Sequence, residues 1–312
     1  LIVLAVATNL PEIAITVSAA AAGNVDIAVG NILGGIAIQT VVIALLDFFG
    51  RRGDGLRPLT YRAASLTLVL EALVVVAVLA VVIAGSQLPS SLEVARLTPD
   101  VVLIAALWVV GLLLVQRAGQ GLPWHESGTA PDATPHQQGH RRHHRSAKTA
   151  PAQTPPSTVK TASLFGASAV ATLVAGVVLE RSGDAASSHV GLSGVLFGAT
   201  FLALATSLPE ISTGLQAIRQ GDDNLAMSDI FGGNAFLPVL FLVATLVSGE
   251  AILPQANAAD IYLTALAAVL TLVYAVGLIF RPSRRLLGMG VDSLTVVCLY
   301  LAGLGGLVAI AR

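Results

Sequence analysis

The sequence is poor in charge and in cysteine. Only 11% of its 312 residues are Asp, Glu, Lys or Arg, whereas a soluble domain carries about 25%. The formal net charge of −1 and the lack of a basic face exclude nucleic-acid binding. The single cysteine, Cys298, excludes a disulfide scaffold, and its apolar neighbours indicate a small packing residue. No G-x-x-x-x-G-K-[ST] sequence is present, so we expect no nucleotide-driven process. We expect no enzymatic activity and no resident cofactor.

Apolar sequence is abundant. Hydrophobic residues make up 55% of the chain, and the mean hydropathy is +0.82. A hydrocarbon core of about 30 Å is crossed by about 20 helical residues. Backbone groups in that core cannot bond to water, so spanning segments should be helices. The sequence therefore predicts an all-α, multi-pass membrane protein with nine spans: 1–22, 26–49, 62–84, 100–117, 161–180, 191–218, 224–248, 258–280 and 287–311.

Residues 118–160 differ from the rest of the chain. They combine several prolines with Gly, Ser and Thr and with a basic run from His140 to Arg145. This composition is typical of a disordered linker. The histidines leave a metal site open, but without acids or cysteines at ligand spacing a solvated loop at the membrane surface is favoured.

An internal repeat divides the chain. Residues 4–35 align without gaps on residues 202–233, and 14 of the 32 positions are identical. The densest block is A-T-N-L-P-E-I at 7–13 against A-T-S-L-P-E-I at 205–211. The same offset superposes the later helices, so the repeat comprises half of the protein.

The repeat predicts an inverted topology. The helix at 161–180 corresponds to a segment before Leu1, so we expect a further amino-terminal helix and five helices in each half. Because five is odd, consecutive halves enter the membrane from opposite sides. We expect the first repeat at 1–117, a disordered cytoplasmic linker at 118–160 and the second repeat at 161–312.

The basic residues agree with this topology. Counted helix by helix, 14 of the 17 Lys and Arg fall on the linker side, and Arg96, Arg181 and Arg312 fall on the other. Lys and Arg concentrate on the cytoplasmic side of membrane proteins. The sequence thus predicts a cytoplasmic linker and an external carboxyl terminus, in a bacterial or archaeal plasma membrane.

Two acids occupy equivalent positions within apolar helices. Glu12 and Glu210 each follow a proline, and a carboxylate in hydrocarbon is so costly that it normally faces an interior site. A proline lacks the N–H for the carbonyl four residues before it, which frees backbone oxygens near each Glu. Hydroxyl and amide side chains share the helix face of each Glu: Thr8, Asn9, Thr206 and Ser207.

These groups together offer an oxygen cage of formal charge −2, which suits Ca2+ or Na+. Proline kinks are common in membrane helices, and a nearby Ser or Thr often bonds to the backbone groups that the proline leaves unpaired. A purely structural explanation therefore stays open. The recurrence of Glu in both copies of the motif favours the cation site.

The paired A-T-N/S-L-P-E blocks resemble the alpha repeats of the calcium/cation antiporter superfamily, which includes the sodium/calcium exchangers. A turn and a G-N-I-L-G-G or S-D-I-F-G-G-N helix follow each block, and the resemblance covers nearly the whole chain. It implies two inverted halves whose repeats cross at the centre and bind Ca2+ alternately with Na+ or H+. The residues it implies are Glu12 and Glu210 as central ligands, Thr8 and Thr206 as oxygen donors to the metal ion, Asn9 and Ser207 beside sodium sites, and the carbonyls of Ala5 and Ala203.

The second part of each motif departs from the family pattern G-S-N-x-x-N/D. Gly35 and Gly233 stand at the serine positions, and Gln39 and Leu237 stand at later donor positions. These changes remove or alter three oxygen donors and put sodium coupling in question.

Asp229 and Asn234 complete the expected cation-binding set, together with Gln39. Asp229 stands where the first repeat has Asn31. It either restores charge to the site or lies at a helix amino terminus, where the dipole stabilises it. Asn234 keeps an amide near the site.

Other acids are weaker candidates. Glu71 lies within the helix at 62–84, where the second repeat has Val269, and either takes part in function or pairs with a neighbouring donor. Asp47 and Asp292 lie near helix ends and are expected to snorkel to the interface. Capping explains the acids in the turns before the second helices: Asp26, Asp222 and Asp223.

The sequence thus predicts a secondary active antiporter that exchanges Ca2+ or a related cation for Na+ or H+ by alternating access at a midplane site. A transport-inactive relative acting as a membrane sensor or partner-binding protein is the alternative, and a channel is a weaker one. The expected partners are inorganic cations and the lipid bilayer, with no nucleic acid or nucleotide. The pattern leaves the oligomeric state open.

Overall fold

The computed structural model describes residues 6–50, 57–89, 91–92, 97–121, 158–190 and 197–310. Ala5, nearly all of the predicted linker and Arg312 lie outside the described residues. The described part is mostly helical, as predicted, with one two-stranded hairpin. Its elements are α1 (Leu10–Ala22), α2 (Val25–Phe49), α3 (Leu59–Ala63), α4 (Leu66–Gly85), α5 (Pro99–Ala118), α6 (Thr158–Val190), a π-helical turn (Gly198–Leu202), α7 (Ala203–Thr206), α8 (Leu208–Gln220), α9 (Asp223–Phe236), a 3-10 turn (Leu237–Val239), α10 (Leu240–Ser248), a 3-10 turn (Leu253–Gln255), α11 (Ala258–Phe280), β1 (Arg285–Leu286), β2 (Met289–Gly290) and α12 (Val291–Ile310).

Among the described residues, six helical segments are long and apolar enough to cross a bilayer. They identify an integral membrane protein. The short α1, the long α6 and the segment from 198 to 220 are not among the six, so the count of nine spans stays a prediction. The six are Val25–Phe49, Leu66–Gly85, Pro99–Ala118, Asp223–Ser248, Ala258–Phe280 and Val291–Ile310.

Two predicted boundaries and one predicted environment are wrong. The helix expected at 161–180 begins at Thr158 and continues to Val190, so the last residues of the predicted linker are helical. The last helix begins at Val291 rather than 287, because the β1–β2 hairpin precedes it. Cys298 is exposed on α12 and is not a packing residue.

The two copies of the repeated motif have the same local conformation. α1 and α8 both contain 13 residues and have proline in the first turn, where a missing N–H is harmless. Both end at a glycine in the left-handed region, with φ of 79° at Gly23 and 87° at Gly221. A side chain at this φ is disfavoured, so glycine ends each helix at low cost.

The packing centres on α2, which contacts α1, α9, α11 and α12. The π-helical turn crosses α2 so closely that a Cβ on Gly34 would collide with Ala199. Small residues allow two helix backbones to approach in this way. Gly34 therefore permits the close approach of α2 and the π-helical turn.

A side chain at Gly34 is therefore expected to disrupt the fold. The clash would be with backbone as well as side-chain atoms of Ala199, which cannot turn aside. Overpacking costs about 1–3 kcal/mol or more, and we expect Gly34→Val to lower the melting temperature measured by size-exclusion chromatography of heated detergent extracts. Gly166→Val is the matched control, since no atom lies within 4 Å of the added Cβ. Equal melting temperatures for the two variants would contradict the crossing described here.

Asp47 and Asp292 are buried, which corrects the expectation that they snorkel to the interface. Asp47 accepts hydrogen bonds from the backbone N–H of Leu59 at 2.7 Å and of Gly290 at 2.6 Å. Its Oδ1 lies 4.0 Å from Nη2 of Arg285. The carboxylate thus satisfies backbone donors of α3 and the hairpin, which fold over the end of α2.

Candidate cation site

The two motif glutamates lie just after breaks in their helices. At Asn9 the backbone has φ −88° and ψ 14°, and at Ser207 it has φ −81° and ψ 0°. A new helix begins one residue later in each case, so that Glu12 and Glu210 lie in first turns. The amino-terminal end of a helix carries partial positive charge, which favours a carboxylate there. Both glutamates are buried.

Gln39 of α2 joins the two glutamates. Its Nε2 donates to Oε1 of Glu12 at 3.2 Å and to Oε1 of Glu210 at 3.5 Å. All three side chains are buried. One nitrogen therefore contacts two carboxylates that come from different halves of the sequence.

Hydroxyl and amide groups lie around this trio. The Thr206 side chain lies close enough to the Glu12 carboxylate to interact with it. A Cβ on Gly233 would lie 2.9 Å from Nδ2 of Asn9 and 3.4 Å from Oε1 of Gln39, so these amides meet at Gly233. Thr8 is buried on the turn before Asn9.

Asn234 extends the polar group along α9. Its Nδ2 donates to Oγ1 of Thr40 at 3.1 Å, and Thr40 donates to the carbonyl of Ile36 at 2.7 Å. Sequence reasoning missed Thr40. The available signal was a hydroxyl directly after Gln39 within an apolar helix, where a buried polar group needs a partner.

The carbonyl of Ala203 is largely engaged within its own helix. It accepts hydrogen bonds from the N–H of Ser207 at 3.1 Å, from the Ser207 hydroxyl at 2.7 Å and from the Thr206 hydroxyl at 3.1 Å. A carbonyl oxygen has two lone pairs, so in this conformation Ala203 is the least available of the expected donors. Its counterpart in the first repeat, Ala5, lies outside the described residues.

Asp229 lies beside the site rather than within the trio. It is 4% exposed, in the second turn of α9, and its Oδ2 accepts from Oγ1 of Thr213 at 2.9 Å. Its carboxylate is near enough to Glu210 for an electrostatic interaction. The amino terminus of α9 is capped by Asp222, which accepts from the N–H of Leu225 at 2.9 Å. The prediction that Asp222 is a cap is confirmed, and a cap role does not explain Asp229.

Several buried oxygens of the site accept no hydrogen bond from any described residue. Buried acceptors are normally paired, so unpaired oxygens in a buried site that holds two carboxylates suit a positive ligand. Within the described residues no group of three or more His, Cys, Asp or Glu side chains could hold a metal ion. Two carboxylates with neutral oxygens fit a hard cation better than a transition metal. The unpaired atoms are Oε2 of Glu12, Oε2 of Glu210, Oε1 of Gln39 and Oδ1 of Asn234.

Comparison with known proteins identifies the family. The sequence profile described as sodium/calcium exchanger protein matches residues 1–117 and 160–307. The chain belongs to this family. The resemblance carried by the A-T-N/S-L-P-E blocks is confirmed.

Two relatives of this exchanger-family protein are bacterial. CaxA of Alkalimonas amylolytica, which bears the provisional name of an antiporter, is 36% identical over 101 residues. The matched segment covers 31% of this chain and 32% of CaxA. The inner membrane protein YrbG of Escherichia coli K12 is 26% identical over 253 residues, 80% of this chain and 69% of YrbG.

Two solved structures share the fold. The sodium-calcium exchanger NCX_Mj, soaked with 10 mM Na+ and zero Ca2+, is 16% identical, with a TM-score of 0.56 over 97% of this chain and 84% of that one. The H+/Ca2+ exchanger CAX is 14% identical, with a TM-score of 0.53 over 99% of this chain and 81% of that one. At these identities the likeness concerns the fold alone.

The exchanger-family chain has glycine at two positions where the family pattern has serine, and their surroundings differ. A Cβ on Gly35 would meet Cδ1 of Leu237 at 3.4 Å, which is ordinary contact, whereas one on Gly233 would press on Asn9 at 2.9 Å. We expect Gly35→Ser to keep wild-type stability and Gly233→Ser to be the less stable of the two, because the Asn9 amide must shift to make room for the added Cβ. Melting curves of the two purified variants test this difference, and a reversed order would contradict it.

A separate contact ties α6 to α1. Glu180, which is buried, accepts from Oγ of Ser18 at 2.9 Å and from Nδ2 of Asn24 at 3.4 Å. Gly176 lies against Ala14 and the Pro11 backbone. A cavity of ≈ 730 Å³ lies between the two helices beside these contacts.

Proposed function

We propose that this exchanger-family protein is a secondary active antiporter that exchanges Ca2+ or a related cation for Na+ or H+ at Glu12 and Glu210. Its family and fold are those of cation exchangers. The exchangers that share the fold are named for Ca2+ with Na+ or H+, which suggests the ions. The observation that carries the proposal is the contact of one Gln39 nitrogen with both carboxylates, at 3.2 Å and 3.5 Å.

The pair of carboxylates accounts for coupled exchange. Two ionised carboxylates close together in a buried site repel each other, and each is costly to hold in hydrocarbon. One divalent cation neutralises the pair, and so do two monovalent cations or two protons. If the site can change its exposure at low cost only when both carboxylates are neutralised, each change of exposure must carry cations. One kind of cation therefore moves in one direction and the other kind returns in the opposite direction.

Neutral oxygens complete the proposed site. Ca2+ takes six to eight oxygen ligands, and two carboxylates supply at most four. Oε1 of Gln39 and Oδ1 of Asn234 accept no hydrogen bond from a described residue. The remaining donors in the proposal are the side chains of Thr8, Asn9, Thr206 and Ser207.

The repeat supports alternating access. Equivalent breaks at Asn9 and Ser207 place a carboxylate at the start of a half-helix in each copy of the motif. In our proposal the copies belong to two inverted five-helix halves, with the linker in the cytoplasm and the carboxyl terminus outside. Exposure of the site then switches between the two sides as the halves move.

Ion flux into everted membrane vesicles tests the proposal. Ca2+ uptake is measured with a Na+ gradient alone and with a pH gradient alone, against vesicles that lack the protein. We expect uptake with at least one gradient and its collapse when an ionophore dissipates that gradient. The vesicles must be shown to maintain each gradient. If they do, and neither gradient drives Ca2+ uptake above the control, the proposal is overturned and the sensor alternative is left.

A further inference from the structure

Glu71 is a buried carboxylate that the proposed cation site does not use. It lies in the second turn of α4 and is 7% exposed. Its Oε1 accepts from Oγ of Ser228 at 2.9 Å, and its Oε2 is buried with no hydrogen-bond donor among the described residues. The sequence left open whether Glu71 pairs with a neighbouring donor, and Ser228 is that donor.

Asp229 follows Ser228 directly on α9 and faces a different helix. Its Oδ2 accepts from Thr213 of α8, and its Oδ1 is buried with no described donor. Glu71 and Asp229 thus flank α9 at the same depth, each with one oxygen held by a hydroxyl and one oxygen unpaired. We refer to Glu71, Ser228, Asp229 and Thr213 as the intermediate layer.

The intermediate layer lies between the central site and one end of the helices. That end is marked by the ion pair of Arg62 with Asp223, at 3.2 Å, where α9 begins. At 1.5 Å per residue, Asp229 is about 9 Å along α9 from Asp223 and about 6 Å from Gly233 at the central site. A particle that moves between the Asp223 end and Glu210 therefore passes this layer.

The layer has no counterpart in the other half of the membrane. Each of its members has a repeat-related position that carries no titratable group. Both repeats contribute a glutamate to the central site, whereas the two carboxylates of the intermediate layer have no acidic counterpart at the repeat-related positions. The counterparts of Glu71, Ser228, Asp229 and Thr213 are Val269, Gly30, Asn31 and Ile15.

Neither carboxylate of the layer forms an ion pair with a described Lys, Arg or His. The Glu210 carboxylate of α8 interacts electrostatically with Asp229. A buried carboxylate without a cationic partner is held at far lower cost when it carries a proton. The other charged residues on the elements packed against α4 and α9 lie near helix ends: Asp26, Asp47, Arg62, Asp100, Arg117, Arg219, Asp223 and Asp260.

We propose that Glu71 and Asp229 are proton-binding groups and that H+ is the counter-ion of this antiporter, an inference that rests on the proposed function. A metal ion does not fit the layer, because α9 separates the carboxylates and each is already held by a hydroxyl. A proton from water at the Asp223 end bonds to Oε2 of Glu71 or to Oδ1 of Asp229. When that oxygen returns the proton to water, the O–H bond breaks and the carboxylate is ionised again.

The test uses the purified full chain in proteoliposomes with an internal pH dye and radioactive Ca2+. We expect Glu71→Gln and Asp229→Asn to lower the H+ flux that accompanies Ca2+ by about tenfold or more, since positioned proton-transfer groups contribute such factors. Glu71→Asp, which keeps a titratable group, is expected to retain H+ flux. Glu250→Gln, which changes an exposed carboxylate, is the matched control and should behave as wild type.

A structural role and a proton-binding role give different results. Ca2+–Ca2+ self-exchange moves no proton, so Glu71→Gln should keep it if the fold is intact. Ser228→Ala removes the hydroxyl but keeps the carboxylate, and we expect it to shift the pH profile of H+ flux without abolishing that flux. An unchanged pH profile in Ser228→Ala and Glu71→Gln alike would overturn the inference.

The outcomes separate this inference from the proposed function. Wild-type H+ flux in both Glu71→Gln and Asp229→Asn, together with loss of Ca2+ exchange in Glu12→Gln, overturns the inference and leaves the proposed function standing. Ca2+ exchange driven by Na+ with no H+ flux does the same. Failure of the wild-type protein to exchange Ca2+ under any gradient removes both.

Discussion

Glu12→Gln and Glu210→Gln are each expected to abolish gradient-driven Ca2+ transport. Each change halves the charge of the site while it keeps the shape of the side chain. Removing one partner of a buried charge pair costs about 2–5 kcal/mol, which corresponds to binding weakened by about 30-fold or more. Radioactive Ca2+ uptake into proteoliposomes measures the loss, and stabilisation of the purified protein by Ca2+ measures binding directly.

The two variants should fail to the same degree. Gln39 contacts both carboxylates, and the two glutamates occupy equivalent first turns. Both variants are expected to keep the wild-type melting temperature without Ca2+, since a neutral amide is easier to bury than a charge. Glu250→Gln again serves as the control. Full transport in either variant would refute the assignment of the site.

Asp47→Ala is expected to cause the largest loss of stability. The change would leave the N–H groups of Leu59 and Gly290 without their acceptor and would remove the anion beside Arg285. Breaking such a buried network costs about 3–5 kcal/mol. We expect a lower melting temperature and a poor yield of monodisperse protein in detergent.

The conservative variant Asp47→Asn tests the reason for this loss. It keeps one acceptor oxygen but replaces the other with a donor, so one of the two N–H groups must lose its partner. Its melting temperature should fall between those of the wild type and Asp47→Ala. If Asp47→Ala melts at the wild-type temperature, the carboxylate does not hold the hairpin and α3 in place.

The sequence predicted features that depend on local order. The breaks before Glu12 and Glu210 follow from proline at a fixed position in an apolar segment. The cap at Asp222 likewise follows from an acid in the turn before a helix. Each of these signals lies within one turn or two of the residue concerned.

The residues that sequence reasoning misjudged depend on contacts between distant segments. Asp47 is near a helix end, which alone suggests an interfacial side chain, but Gly290, whose backbone N–H donates to it, is 243 residues away. Gln39 was expected in the cation-binding set as an altered donor, but not as a bridge between the two glutamates. Its contact with Glu210 spans 171 residues, and no local pattern reveals such a pairing.

The extent of α6 shows the same limit. The apolar pattern ends at Glu180, which suggested the end of the helix there. The charge is instead accommodated by hydrogen bonds from Ser18 and Asn24, which lie in the other half of the sequence. Because these hydrogen bonds offset the cost of burying the Glu180 carboxylate, and because no proline follows, the helix continues to Val190.

α6 is attached to the rest of the structure along one short stretch, and its first turns extend well beyond that attachment. The close contacts at Gly176 and Gly183 and the hydrogen bonds of Glu180 all lie in one short stretch, whereas the described side chains before Gly176 are mostly exposed. The start of α6 at Thr158 is about 27 Å from Gly176 at 1.5 Å per residue. A sideways displacement of that end would therefore be transmitted to α1 at Pro11 and Ala14, which lie one turn or less from Glu12.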